Sequence, residues 1–122
     1  MRILMMVVAC GLLLAACASE STDPADVVEG YLEAKVAGDS RAMQQLLCSP
    51  MEVDLQREAA AFTSVTDVSI EDMACTSTEG SDIVQCTGQI VANYGAEDTS
   101  FPLSSYRVVQ EDGEWKWCGE AS

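Results

Sequence analysis

The pattern of hydrophobic positions begins with an uncharged apolar run, residues 3–14, that follows the positive charge of Arg2. The run has the length of a signal-peptide core and is shorter than the ~20 residues that a membrane-spanning helix needs. Two alanines then precede Cys17. The segment predicts a signal peptide over residues 1–16 and export of the remainder from the cytoplasm.

Two amphipathic helices are predicted after a short polar tether, residues 17–23. Asp23 and Pro24 are residue types favoured at a helix N-cap and first turn, and Gly38 can adopt the left-handed conformation that ends a helix. One face of this first helix carries residues at three- and four-residue spacing: Val27, Val28, Tyr31, Leu32 and Lys35. Asp39 caps a second, shorter helix with the buried stripe Ala42, Met43, Leu46 and Leu47.

A third helix is predicted from Ser49, because Ser49-Pro50-Met51-Glu52 has the sequence of a capping box with proline at the first helical position. The residues spaced along one side of this helix are Met51, Leu55, Ala59 and Phe62. We place its end near Thr63.

The hydrophobic period changes to two from Ser64 onward, which predicts antiparallel strands. The first strand runs through Val68 and Ile70 to Cys75, and a turn follows over residues 79–82. In the second strand alternate residues point to one face: Val84, Cys86, Gly88, Ile90, Ala92 and Tyr94.

A third strand is predicted from Thr99 to Gln110, with a bulge near Ser104-Ser105 because the apolar positions change phase there. Asp112-Gly113 is a strong hairpin signal and leads into a short last strand, residues 114–118. This register places four apolar residues on one face: Tyr106, Val108, Trp115 and Trp117. The predicted fold class is α+β, with two to three N-terminal helices packed on a curved antiparallel sheet of about four strands, in one domain over residues 24–120.

Charge and composition limit the partners of this domain. Five basic and 20 acidic residues follow Cys17, so the exported part carries a net charge of −15. Nucleic acid and anionic lipid are poor partners for such a surface. The absence of histidine excludes Ser-His-Asp and Cys-His nucleophile systems and histidine-based metal sites. Because the sequence also lacks a CxxC pair and EF-hand spacing, we predict neither a metal nor a cofactor.

Four cysteines are left in the predicted domain: Cys48, Cys75, Cys86 and Cys118. An even number in an exported protein predicts two disulfides. Cys75 and Cys86 are equidistant from a turn centred on residues 80–81, so they lie opposite each other across the hairpin. This bridge leaves Cys48 and Cys118 for a second one, between the helices and the sheet. In the alternative, the four thiols are reduced and buried.

Leu14-Ala15-Ala16-Cys17 resembles a bacterial lipobox, in which the cysteine thiol receives a diacylglycerol and the peptide bond before it is cut. The resemblance implies a lipoprotein that begins at Cys17 and is attached to the membrane by acyl chains such as palmitate, of which two suffice. It faces outside the cytoplasm, and Ala18 favours the outer membrane if the source has one. An ordinary secretory signal, cut after Ala16 or Ala18, is the alternative.

The stretch from Pro24 to Leu47 resembles the opening of nuclear-transport-factor-2-like domains. The matching features are two apolar pairs in an early helix, a Gly-Asp and a helix ending in two leucines: Val27-Val28, Tyr31-Leu32, Gly38-Asp39 and Leu46-Leu47. Residues 111–118 are similar to the last hairpin of that superfamily, which includes small bacterial lipoproteins of unassigned function. The resemblance implies this α+β domain and carries over no catalytic residue. A cystatin-like arrangement of one helix on a sheet is the alternative, and the three helical segments count against it.

Three functions are compatible with the sequence. The first, which we favour, is a cell-envelope domain without catalytic activity that binds a protein partner or supports an envelope complex. The second is a small-molecule binding cup, since a curved sheet under helices commonly encloses a pocket. The third, an isomerase-like enzyme implied by the resemblance, needs an inward carboxylate beside Tyr31 or Tyr94. The acids near the first strand are Asp67, Glu71 and Asp72, and nothing in the sequence indicates that they face a cavity.

The candidate pocket or patch residues are aromatic: Tyr31, Tyr94, Tyr106, Trp115 and Trp117. If helices cover the face that carries Trp115 and Trp117, these residues are predicted to be core. If that face is open, the two exposed tryptophans form a binding patch.

Overall fold

A computed structural model describes residues 23–121 of the chain. The predicted signal peptide, the predicted lipid attachment at Cys17 and most of the predicted tether lie outside the described residues. The helical elements are α1 (Pro24–Ala37), α2 (Ser40–Leu46), a 3-10 helix (Ser49–Asp54) and α3 (Leu55–Ala59). The strands are β1 (Val68–Ser77), β2 (Ile83–Asn93), β3 (Asp98–Pro102), β4 (Ser105–Glu111) and β5 (Glu114–Glu120).

The first helix begins and ends where the sequence predicts, and the second begins where predicted. α2 ends at Leu46, so Leu47, which the sequence places in its stripe, is buried just after the helix and pairs with Trp117 instead. The side chain of Asp23 accepts a hydrogen bond from the Ala25 amide at 2.9 Å, and Asp39 accepts one from the Ala42 amide at 3.1 Å. Gly38 ends α1 with φ of 67°, the left-handed conformation that glycine adopts without a steric cost. Local sequence therefore determines this part of the fold.

The third helix differs from the prediction. Residues Ser49–Asp54 form a 3-10 helix, in which the predicted capping box does not form. The Ser49 hydroxyl and backbone amide instead donate to the Glu111 carboxylate, each at 2.9 Å. Because this carboxylate comes from β4, a tertiary contact replaces the local cap, and the regular helix is only Leu55–Ala59.

The sheet is antiparallel and has the order β1-β2-β4-β5, with β3 also paired to β2. The long third strand that the sequence predicts is two strands. β3 pairs with the last residues of β2, 89–93, whereas β4 pairs with its first residues, 83–85. The chain passes from the last residues of β2 to its first residues at Leu103 and Ser104, next to the predicted bulge. The described sheet therefore has five strands rather than about four. The fold class is otherwise the predicted α+β.

A bulge bends the hairpin of β1 and β2. The strand register shifts between Glu71 and Ala74, where Asp72 has φ of 54°. Gly88 on the opposite strand has φ of 103°, and a Cβ atom there would lie 2.6 Å from the Asp72 carbonyl oxygen. A bulge of this kind increases strand bending and twist, which helps the sheet to wrap around the helices.

Helices cover one face of the sheet, and the core lies between them. The predicted alternation of β2 is confirmed, since Val84, Cys86, Ile90 and Ala92 are all buried. Tyr106, Val108 and Trp117 face the same core and are at most 4% exposed. The alternative of an open tryptophan patch on this face is therefore wrong for Trp117.

Both predicted cysteine pairs are within disulfide distance. Cys75 and Cys86 are direct partners in the hairpin register, with Cα atoms 4.1 Å apart. Cys48 and Cys118 have Cα atoms 5.2 Å apart and join the segment after α2 to β5. The Cys48 amide also donates to the Trp117 carbonyl at 2.9 Å, so this segment covers the outer edge of β5. Two disulfides indicate an oxidising, non-cytoplasmic compartment.

Candidate functional site

A cavity of about 270 Å³ lies between the helices and the concave face of the sheet. We call it the cup. Its walls are mainly apolar and include Leu32, Phe62, Ile90, Phe101, Leu103 and Trp117. The volume is near the lower end of small-molecule sites, roughly 300 Å³ and above.

A charge pair and the exposed Glu120 interrupt the apolar wall of the cup. Lys35 from α1 and Glu58 from α3 both line the cavity, and Lys35 Nζ lies 2.8 Å from Glu58 Oε2. Their side chains are 22% and 15% exposed, so the pair is largely withdrawn from water. Each charge needs the other here, because an unpaired charge in such a position is strongly disfavoured.

Tyr31, which lies behind the cavity wall, also contacts the Glu58 carboxylate. Its hydroxyl donates to Glu58 Oε2 at 3.0 Å, and the residue is fully buried. Burial raises the pKa of Tyr31, and the negative charge of Glu58 raises this pKa further. The phenol is therefore a permanent donor, and Glu58 Oε1, which takes part in neither contact, is the carboxylate oxygen left for other partners.

Trp117 forms the inner wall of the cup. Its ring stacks on Tyr31 with centroids 3.8 Å apart and planes 11° from parallel, and the residue is 3% exposed. The indole Nε1 is buried and has no hydrogen-bond partner among residues 23–121. Tyr106 packs beside it, with centroids 6.4 Å apart. The Tyr106 hydroxyl accepts a bond from the Ser104 amide at 3.2 Å, and burial raises the pKa of this phenol.

The five aromatic candidates do not lie together in the structure. Trp117 and Tyr106 line the cup, whereas Tyr31 lies behind its wall. Trp115 is half-buried in a wider, more open groove that also involves Pro24 and the turn after β1.

The predicted inward orientation of Tyr94 is wrong. This residue is 53% exposed, because β2 ends at Asn93 and the alternation of side chains does not continue. Its ring instead contacts Phe101 edge to face, with centroids 6.4 Å apart.

Sequence reasoning missed both carboxylates that line the cup, Glu58 and Glu120. Asp67, Glu71 and Asp72 are exposed, whereas Glu58 is on a helix rather than a strand. A signal was present, because Glu58 is three residues after Leu55 and four before Phe62, within the apolar stripe. The stripe of α1 contains Lys35 in the same way. Opposite charges in the stripes of two neighbouring helices indicate an internal pair.

No group of metal-binding side chains occurs within residues 23–121. In the same part of the chain, none of the helices has the length and apolar character needed to cross a membrane.

The fold resembles that of NTF2-like proteins. The chain matches no protein-family profile and no curated protein sequence. Its structure is similar to that of a "putative dehydratase" from the NTF2-like family of Streptomyces avermitilis, with a TM-score of 0.54 and 14% sequence identity. The similarity covers 79% of this chain and 92% of the other. At this identity the likeness shows the fold and leaves enzymatic activity open.

Proposed function

We propose that this protein is an exported domain that binds a small, largely apolar molecule in the cup. The observation that supports the proposal is a cavity of about 270 Å³ whose mainly apolar walls contain the mutually neutralised pair of Lys35 and Glu58, with the exposed Glu120 as a third charged residue. Sites for small molecules have this composition, in which apolar walls supply affinity and a few polar groups orient the ligand.

The protein-interaction function that the sequence favours has weaker support. Trp117, one of the two tryptophans of the predicted alternative binding patch, is 3% exposed and belongs to the core. The large apolar residues that are exposed in the described chain are Val53, Tyr94 and Phe101. Phe101 lines the cup, so part of this exposed surface belongs to the proposed ligand site.

Membrane attachment through a lipid on Cys17 remains part of the proposal. The tether would join α1 at Pro24, whereas Lys35 lies eleven residues later, a distance of about 16 Å along a helix. The cup is thus at the end of α1 away from the anchor, where it would take ligand from the aqueous side. Mass spectrometry of the mature N-terminus tests the anchor, and an unmodified Cys17 would refute it.

A variant whose cup is filled by a larger side chain tests the binding proposal. Leu103→Trp places a bulky ring in the cavity wall, and Val53→Trp adds the same ring at a site that is 89% exposed. In a calorimetric or NMR screen of small bicyclic compounds, we expect binders to lose at least tenfold in affinity for Leu103→Trp and to keep it for Val53→Trp. Equal affinities for both variants would show that binding occurs elsewhere.

A second candidate function is proton transfer on a bound ligand by Glu58. One specific observation favours it, which is that this carboxylate lies beside Tyr31 in a cavity, the arrangement that the enzyme hypothesis requires. Glu58 Oε1 would be the base, because Oε2 contacts both Tyr31 and Lys35.

Hydrogen exchange tests this second function. The protein is incubated in deuterated water with a bicyclic ketone, tetralone, and the loss of its proton signal next to the carbonyl is followed by NMR. Proton transfer by Glu58 predicts faster exchange with the wild type than with Glu58→Gln at equal occupancy of the cup. The same exchange rate with both proteins would leave only the binding function.

A further inference from the structure

The wall of the cup contains an excess of negative charge. Its charged residues within the described chain are Lys35, Glu58 and Glu120, and Lys35 Nζ lies 2.8 Å from the Glu58 carboxylate. Glu120 belongs to none of the ion pairs formed within residues 23–121. Because the first two charges neutralise each other, the excess charge of the wall is the carboxylate of Glu120.

Strand pairing places Glu120 on the face of the sheet that the cup occupies. Glu120 of β5 is the partner of Tyr106 in β4, and directly opposite residues of an antiparallel pair have their side chains on the same face. Tyr106 lines the cup. Burial raises the pKa of the Tyr106 hydroxyl, and the negative charge of Glu120 raises this pKa further. Since Glu120 is exposed, its carboxylate lies at the rim of the cup, where it can be reached from water.

Two phenyl rings in the same wall are also accessible to a ligand. Phe62 and Phe101 both line the cup, and their ring centroids are 6.2 Å apart. Phe101 is 40% exposed and Phe62 is half-buried. Aromatic rings attract organic cations as well as apolar groups. A wall that combines such rings with an uncompensated carboxylate therefore fits a molecule with an apolar body and one positive charge.

The charge of the whole chain favours a cation over an anion. The net charge is −14, so the field around the domain attracts positively charged molecules and repels negatively charged ones. The basic group in the described wall, Lys35, is already bound to Glu58. An anionic ligand would have to compete with that carboxylate and would also be repelled by Glu120.

We infer that the ligand of the cup is a compact apolar amine, whose ammonium group is bound by Glu120 at the rim while its apolar part fills the cavity. The inference rests on the proposed function and adds the charge of the ligand to it. Glu120 is then the residue that selects a cationic ligand over a neutral or anionic one of the same shape. Because this carboxylate is exposed, the selectivity is modest and sensitive to salt.

Three probes with the same bicyclic skeleton test this selectivity: the cation aminotetralin, neutral tetralin and the anion of tetralin carboxylic acid. The methyl NMR signals of Leu32 and Leu103 report entry into the cup, because both residues line it. In low-salt buffer, we expect aminotetralin to bind about threefold more tightly than tetralin, and the carboxylate to bind most weakly. The preference should nearly vanish at about 1 M salt, where the Debye length is about 3 Å.

Variants of Glu120 assign the preference to this residue. Glu120→Gln removes the charge and keeps the size of the side chain, so it should abolish the preference for aminotetralin and leave the affinity for tetralin unchanged. Glu33→Gln is the matched control, because Glu33 is exposed on α1 and does not line the cup. It makes the same change in net charge and should keep the preference. Glu120→Lys should reverse the order of the two charged probes.

The results distinguish failure of this inference from failure of the proposed function. If all three probes shift the leucine methyl signals with equal affinities, the cup binds ligands and the role of Glu120 is wrong. Equal loss of the preference in Glu120→Gln and Glu33→Gln has the same meaning, as does tightest binding of the carboxylate by the wild type. If no probe shifts the methyl signals, the proposed function and this inference both fail.

Discussion

Lys35 and Glu58 show how single residues define the cup. Each occupies a position in the apolar stripe of its helix, and together they form a pair at 2.8 Å that Tyr31 completes. The pair is neutral as a whole, and it leaves one carboxylate oxygen of Glu58 free of these contacts.

Removal of Lys35 and Glu58 together is predicted to cost less than the sum of the two single removals. Glu58→Ala leaves Lys35 and the Tyr31 hydroxyl without a partner and should lower the free energy of unfolding by about 2 kcal/mol. The double variant Lys35→Met/Glu58→Leu should lose at least ~1 kcal/mol less than the sum of its single variants. Urea unfolding measures all of them.

The exposed ion pair of Arg57 and Asp54 is the control for this double-mutant cycle. Arg57 lies 2.9 Å from Asp54, and its side chain is 74% exposed. Arg57→Ala should therefore change the free energy of unfolding by less than ~0.5 kcal/mol. Additive effects at Lys35 and Glu58 would contradict the interpretation that these two residues act as an internal pair.

Asp23 gives a prediction of pH dependence. The Ala25 amide and then the Ser77 hydroxyl lower the pKa of this carboxyl in the folded protein. Its ionised form therefore stabilises the fold above the unfolded pKa of about 3.9, and this contribution is lost as the pH falls through the lower folded pKa. Asp23→Asn keeps a good N-cap but cannot titrate.

The measurement for Asp23 is urea unfolding of both proteins across the acid range. The stability difference between wild type and Asp23→Asn should be constant from about pH 5 to 7 and should change below about pH 4. A difference that is independent of pH would show that the carboxylate is not stabilised by these hydrogen bonds.

Strands β1 and β2 make one unusually close backbone contact. At the bulge of β1, the backbone of Asp72 approaches Gly88 of β2 so closely that a Cβ on Gly88 would lie 2.6 Å from the Asp72 carbonyl oxygen. The last residues of β2 then pair with β3 rather than with β4. A bulge bends and twists its strand, and Ile90, two residues after Gly88, lines the cup.

Gly88→Ala is predicted to be strongly destabilising. The substitution combines φ of 103° with the short contact to Asp72 and should cost more than ~2 kcal/mol in unfolding free energy. Gly80 is the matched control, because its φ is 78° and nothing lies within 4 Å of the added Cβ. Gly80→Ala should cost about 1 kcal/mol. Equal losses in urea unfolding would contradict the importance of the bulge contact.

The sequence predicts those parts of the molecule that local chemistry determines. Asp112 and Gly113 have φ of 53° and 80°, as a two-residue hairpin turn requires, and the register it sets brings Val108 opposite Trp117. The period of two in β2 likewise identifies the core, and the turn after β1 places Cys75 opposite Cys86. These features depend on neighbours within about a dozen residues.

Long-range contacts determine what the sequence does not predict. Ser49 binds Glu111, 62 residues away, and this bond replaces the capping box of the predicted third helix. The division between β3 and β4 depends on which part of β2 each one meets. Glu58 enters the cup only because α3 packs against α1, so its role follows from the tertiary structure. The fold was therefore more predictable than the site.

The whole molecule combines a helix-over-sheet domain, stapled by two disulfides, with a cavity whose wall contains the pair of Lys35 and Glu58. A crystal structure of the protein with tetralone tests this account most directly. We predict the bicycle in the cup, in contact with Leu32 and Leu103. Tetralone bound instead in the groove beside Trp115, with the cup holding only water, would contradict the account.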